Sequence, residues 1–151
     1  MKALEIFESE HQTVLGKLRE LRESVNRLRE GAGVEAERGT LEDFNRLIEG
    51  DIRKHFKNEE EALFPVLGSV PGMRNGPITV MLAEHDILYN AFNEFNSGVE
   101  EENREQVINA GDKILTVLTD HIHKEDNVLF PMSRQYLRPD QLEEVDKRMV
   151  Q

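Results

Sequence analysis

At 151 residues the chain has the size of one domain with one sizeable core. It contains no cysteine, which excludes disulfides, thiolate metal sites, cysteine-ligated iron–sulfur clusters and thiol catalysis. Its formal net charge of −11, with acids spread along the chain, argues against nucleic acid and anionic membranes as partners, since both need basic surface, and reads most simply as a solvated helical face.

The N-terminal stretch MKALEIFESEHQ is charged and amphipathic, without the apolar core of a signal peptide. No segment is long and apolar enough to cross a bilayer, so a soluble, cytoplasmic protein is expected. Three stretches with helix-breaking residues divide the sequence: Arg29–Thr40, Gly68–Pro77 and Asn96–Asn103. Each of the four segments between them has apolar steps of three and four, the helical period. The first reads Leu4, Phe7, His11, Val14, Leu18, Leu21, Val25, Leu28. The second reads Leu41, Phe44, Ile48, Ile52, His55, Glu59, Leu63, Val66. The third reads Ile78, Met81, His85, Leu88, Phe92, Phe95, and the fourth Val107, Gly111, Ile114, Leu118, His121, Glu125, Val128, Met132. Short connections make antiparallel neighbours, so the expected fold is all-α: an up-down-up-down four-helix bundle forming one domain over residues 1–151. Pro139 suits the first position of a short fifth helix, which would lay Leu142, Val145 and Met149 against the bundle.

The stripes contain an anomaly. His11, His55, Glu59, His85, His121 and Glu125 all occupy core-facing positions, and no Lys or Arg in the stripes pairs with them. Buried carboxylates without partners are costly unless they are paired or bind metal. Two of these residues lie near helix starts and four near helix ends. In an antiparallel bundle all six therefore fall at one level, about 10–17 Å from one end at ~1.5 Å per residue. His-x-x-x-Glu stacks an imidazole and a carboxylate on one helical face, with Cβ atoms roughly 5–6 Å apart.

Four His and two Glu exceed the needs of one ion. They suit two, each with two nitrogens, bridged by both carboxylates, with water, hydroxide or oxide completing the bridge. Ligation by nitrogen and oxygen without sulfur favours iron, then manganese or zinc. The spacing does not say which histidines share an ion. The phrase His-x-x-x-Glu-acid-x-x-Leu-Phe-Pro occurs twice, at His55–Pro65 and His121–Pro131. A second phrase pairs SEHQTVL (Ser9–Leu15) with AEHDILY (Ala83–Tyr89). Each half of the chain thus supplies one helical hairpin of a pseudo-twofold site. The bland alternative is six helix-face polar residues aligned by chance; a shared depth and a repeated frame favour metal.

On these residues the chain resembles the hemerythrin-like, or HHE cation-binding, family, in its four-His, two-Glu branch. The resemblance implies a four-helix bundle around a non-haem di-iron centre that meets dioxygen, nitric oxide or peroxide. It departs from the oxygen-carrying branch, whose third helix bears His-x-x-x-His where this chain has His85-x-x-x-Tyr89. That branch also places an Asp five residues after its last histidine. Asp126 has that spacing, whereas Glu125 matches the symmetry of Glu59.

Tyr89 should face the same cavity, to bond an oxygen species, ligate ferric iron or give an electron; the plainer reading is a packed tyrosine whose hydroxyl finds a partner. Glu10, Glu60, Glu84 and Asp126 are either solvated acids or acceptors for the ligand imidazoles. His123 lies off the His121 face, at the surface or behind the ligands, and Phe56, Phe64, Phe92 and Phe130 read as packing around the site. No phosphate-binding Gly-rich loop or serine nucleophile motif competes. The expected partner is a small diatomic or peroxide ligand. Whether the chain is an enzyme, an iron or gas sensor, or an iron store acting through a protein partner stays open, as does a structural bundle with zinc or no metal.

Overall fold

A computed structural model describes residues 2–150. Helix α1 is Ala3–Arg29 and α2 covers 34–67. Helix α3 is Pro77–Glu100, α4 covers 104–136, and α5 is Pro139–Arg148. The first four form the expected antiparallel bundle in ring order, with α4 returning to α1, and α5 packs across α1 and the end of α2. All the core positions read from α1, α2 and α3 are buried. Val145 of α5 is buried too, with Leu142 and Met149 partly so.

Two boundaries differ from the reading of breaker residues. Helix α2 begins at Val34, inside the first glycine-rich stretch, so the link is only 30–33. Gly31 at φ +115° lets α1 end in a Schellman turn, with Ala32 N–H bonded to the Arg27 carbonyl and Gly31 N–H to Leu28. Helix α3 runs past Gly98 to Glu100, and Asn103 then caps α4 by accepting from Gln106 N–H.

The larger departure lies inside the helices. Helix α2 contains π turns at Ile48–Ile52 and Glu59–Leu63, and α4 one at Glu125–Leu129. Each of the latter two ends one residue before a Phe-Pro pair. Phe64 N–H reaches back to Glu59, and Phe130 N–H to Glu125, a span of five residues. Pro65 and Pro131 offer no N–H, and a proline ring clashes with the carbonyl four residues back. A widened turn relieves that clash, which explains why Leu-Phe-Pro closes both repeats. It also corrects the sequence reading of α4: Val128 is 51 % exposed, because the extra residue moves Leu129 and Ser133 inward instead.

The apolar core forms two clusters. One contains Val14, Ile52, Phe56, Leu88, Leu118 and Ile122. The other contains Phe7, Leu63, Phe64, Met81, Leu129 and Phe130 at the end covered by α5. Between them lies the layer of buried His and Glu. Away from that layer α1 and α4 approach closely at Gly111, where an added Cβ would sit 2.8 Å from Val25 Cγ2. Valine is stiff at χ1, so Gly111→Ala should lose about 1–3 kcal/mol to overpacking against about 1 kcal/mol gained in helix propensity. The expected result is a lower urea midpoint; a higher one would show that Val25 gives way.

Candidate metal centre

Each bundle helix contributes one imidazole: His11 from α1, His55 from α2, His85 from α3 and His121 from α4. Glu59 and Glu125 are the first residues of the two matching π turns, one helical turn beyond His55 and His121. All six are buried, both carboxylates fully. The Nε2 atoms converge. His11 Nε2 lies 3.1 Å from His55 Nε2 and 3.1 Å from Glu125 Oε1. His55 Nε2 is 3.4 Å from Glu59 Oε2, His85 Nε2 is 3.2 Å from Glu59 Oε1, and His121 Nε2 is 3.5 Å from Glu125 Oε1.

The outward nitrogens are all held by acids. His11 Nδ1 lies 2.7 Å from Asp126, His55 Nδ1 2.9 Å from Glu10, His85 Nδ1 2.5 Å from Glu60 and His121 Nδ1 2.8 Å from Glu84. A carboxylate only accepts, so each Nδ1 carries a proton, and each Nε2 is the nitrogen left to offer a lone pair to a cation. The four contacts close a ring. Helix α1 lends Glu10 to α2, α2 lends Glu60 to α3, α3 lends Glu84 to α4, and α4 lends Asp126 back to α1. All four acids that the sequence left between solvent and support are supports.

Lone pairs and carboxylate oxygens facing one another need positive charge between them. Glu59 Oε2, His121 Nε2 and both Glu125 oxygens are buried without any hydrogen-bond partner. A buried unsatisfied polar atom costs about 1–3 kcal/mol, so four in one layer mark a place for cations. Two groups of donors lie mutually within 4.8 Å: His11, His55, Glu59 and Glu125; and Glu59, His85 and His121. The structure thus pairs His11 with His55 and His85 with His121, with Glu59 common to both groups. The cluster fits a metal site.

Without metal, protons take the cations' place. Burial opposes the charge on His11, but Asp126 and Glu125 outweigh it and raise its pKa from 6.5 to about 9. Burial likewise opposes His85, and Glu59 and Glu60 raise it to about 9. Burial works against the Glu59 carboxylate, but the His55 charge holds its pKa well below the usual 4.5. The signs follow by linkage. The histidine contribution to the metal-free chain is complete below pH 6.5 and is lost as pH rises through about 9. The Glu59 contribution is complete above pH 4.5 and is lost as pH falls through its lowered pKa. Metal needs neutral imidazole, so its affinity runs the other way, rising with pH. The gap in melting temperature between loaded and chelated protein should therefore widen from pH 6.5 to 9; a constant gap would refute this account.

The Tyr89 hydroxyl donates to Glu60 Oε2 at 2.8 Å, outside the ring of imidazoles. Burial and the Glu60 charge both raise its pKa. It takes the plainer of its two readings. His123 is exposed. Rings wall the layer: Phe56 stacks on His85 at 4.0 Å and Phe130 on His11 at 5.5 Å. Two residues had no role in the sequence reading. Lys124 Nζ donates to Glu84 at 2.6 Å. The buried Asn58, one residue before Glu59, exchanges hydrogen bonds with Val150 N–H and carbonyl at 2.9 and 3.2 Å. Aligning the two repeats would have flagged both, since Asn58 and Lys124 stand at the same position of the phrase.

A helical bundle with a buried layer of four histidines and two glutamates defines a cation-binding protein of the hemerythrin class. The model of the hemerythrin HHE cation binding domain matches residues 2–133, and the chain belongs to that family. Among curated relatives, the "Iron-sulfur cluster repair protein YtfE" of Yersinia pestis (strain Pestoides F) is 29% identical over 134 residues. The protein of that name from Yersinia pseudotuberculosis serotype O:1b (strain IP 31758) shows the same identity over the same length. In both cases the match covers 83% of this chain and 60% of the relative, so the chain spans about three fifths of the length of those proteins.

Proposed function

We propose that the chain is a non-haem di-iron protein that binds or reacts with dioxygen, nitric oxide or peroxide. The observation that carries this reading is the convergence of four inward Nε2 atoms and two buried carboxylates, with orphaned oxygens among them. His11 and His55 would hold one ion, His85 and His121 the other, and Glu59 and Glu125 would bridge. When bound, a pair of irons supplies one-electron redox chemistry and Lewis acidity. The chain's part is to orient the imidazoles through the acid ring, to exclude bulk water with its phenylalanine wall and to bound the guest. Beside His11, His55 and His121 lies an apolar cavity of about 10 Å³ lined by Val14, Ile52, Phe56, Leu118 and Ile122. That is near the lower limit for one water-sized molecule, which supports a very small ligand. The relatives' name supports iron chemistry as the setting, and the proposal adds the cytoplasm as the compartment and a protein redox or signalling partner.

Elemental analysis of untagged protein from iron-replete medium tests this. About two irons per chain are expected, falling to one or none in Glu59→Ala and Glu125→Ala. Unchanged iron in both variants, or a single zinc in the parent, would defeat the reading.

A second reading, a sensor acting through a partner, rests on the Asn58 clip, which ties the C-terminal segment to the residue preceding Glu59. Amide exchange in α5 that changes when nitric oxide or dioxygen is added would favour it. Steady turnover of peroxide or nitric oxide would favour the enzyme.

A further inference from the structure

The repeat that builds the centre is imperfect, and two of its imperfections fall on one side. Tyr89 occupies the position of Leu15, four residues after the histidine of its Glu-His phrase. Lys124 occupies the position of Asn58, three residues after the histidine of its His-x-x-x-Glu phrase. The Tyr89 hydroxyl donates to Glu60, and the Lys124 ammonium donates to Glu84. Those two acids hold His85 and His121. Their counterparts Asp126 and Glu10 hold His11 and His55, and among the described residues no cation or hydroxyl reaches either one. Leu15 has no polar atom to offer, and the Asn58 amide is turned to Val150.

The donor sets differ in the same sense. His11 and His55 lie in one compact group with both Glu59 and Glu125, with His11 Nε2 3.1 Å from Glu125 Oε1, whereas His85 and His121 group with Glu59, and Glu125 Oε1 stands farther off, 3.5 Å from His121 Nε2. A carboxylate on Nδ1–H makes Nε2 a stronger donor. A carboxylate that also accepts from a hydroxyl or ammonium has part of its charge neutralised and lends less of it to the imidazole, even where the contact is as short as the 2.5 Å of His85 and Glu60. Lys124 is 41% exposed and also bonds Asp120 at 3.0 Å, so solvent and a second acid dilute its effect. The Tyr89 hydroxyl is shared with no second acid.

Resting on the two-ion reading above, we propose that the two positions are unequal. The His11–His55 position fills first and keeps its ion. The His85–His121 position binds more weakly and exchanges its ion. Tyr89 and Lys124 set the difference as positioning residues, acting through Glu60 and Glu84.

Titration of metal-free protein with cobalt(II) against a competing chelator, followed by visible absorption, tests this. Two steps are expected, separated by about tenfold or more. His85→Gln should remove the weak step and leave the tight one; His55→Gln should remove the tight one. Asp126→Asn should weaken the tight step by about 10–100-fold. Tyr89→Phe should strengthen the weak step several-fold without touching the tight one. Lys124→Gln should act in the same direction but less, with Lys124→Arg restoring the parent behaviour. The variants that keep all six ligands leave the test standing if a histidine variant fails to fold. Two ions binding equally, loss of the tight step in His85→Gln, or no change in Tyr89→Phe would each overturn the proposal while leaving the two-ion reading intact. Uptake of fewer than two cobalt ions would overturn that reading itself, and the proposal with it.

Discussion

Chelating the metal from a loaded chain lowers its melting temperature by roughly 8–16 °C. The size follows from mass action: one position held at about a thousand times its Kd adds about 4 kcal/mol, and each kcal/mol moves a domain of this size by about 2–4 °C. The direction follows from the burial of Glu59 Oε2, His121 Nε2 and both Glu125 oxygens without partners. Cations satisfy those atoms in the loaded state. In the chelated state they lose that partner. Differential scanning calorimetry before and after chelation reads the effect. An unchanged transition would mean a structural bundle that does not use metal.

Phe56→Ala costs about 3–5 kcal/mol of stability, the usual loss for a fully buried phenylalanine. It should also weaken metal binding by about tenfold or more. Phe56 is buried and stacks on His85 with planes 11° apart; it also meets the rings of His55, Tyr89, Phe92 and His121. Its removal opens a cavity against the imidazoles and frees them to tilt. Phe92→Ala is the control. Phe92 is equally buried and packs on Phe56 without itself stacking on a histidine. Denaturant melts should show similar losses for the two variants, and chelator competition should separate them. Equal metal affinity in both would show that the ring does not hold His85 in place.

The six buried polar residues were legible because helical periodicity and antiparallel topology each constrain depth, and a six-residue coincidence at one depth is improbable without a cause. The bundle and the placement of α5 were legible for similar reasons: apolar steps of three and four, and Pro139 at a helix start. What the sequence hid depends on shifts smaller than one turn. The π turn after Glu125 adds one residue, which exposes Val128 and buries Leu129. Gly31 ended a helix, but Gly39 and Gly98 did not, because packing overrides a propensity cost of about 1 kcal/mol. The pairing of His11 with His55 needed side-chain directions that spacing alone does not supply. The roles of Glu10, Glu60, Glu84 and Asp126 needed to know which helix lies beside which.

The acid ring also bears on ancestry. Two of its contacts lie within a hairpin, Glu10 to His55 and Glu84 to His121, and two cross between hairpins, Glu60 to His85 and Asp126 to His11. Two separate copies of a single hairpin, related by rotation, would close the same circuit. Such a homodimer must keep its two halves identical, so any change at one position is forced on the other. Joining the copies in one polypeptide lifts that constraint, and Tyr89 in the place of Leu15, or Lys124 in the place of Asn58, is a divergence that two identical halves could not carry.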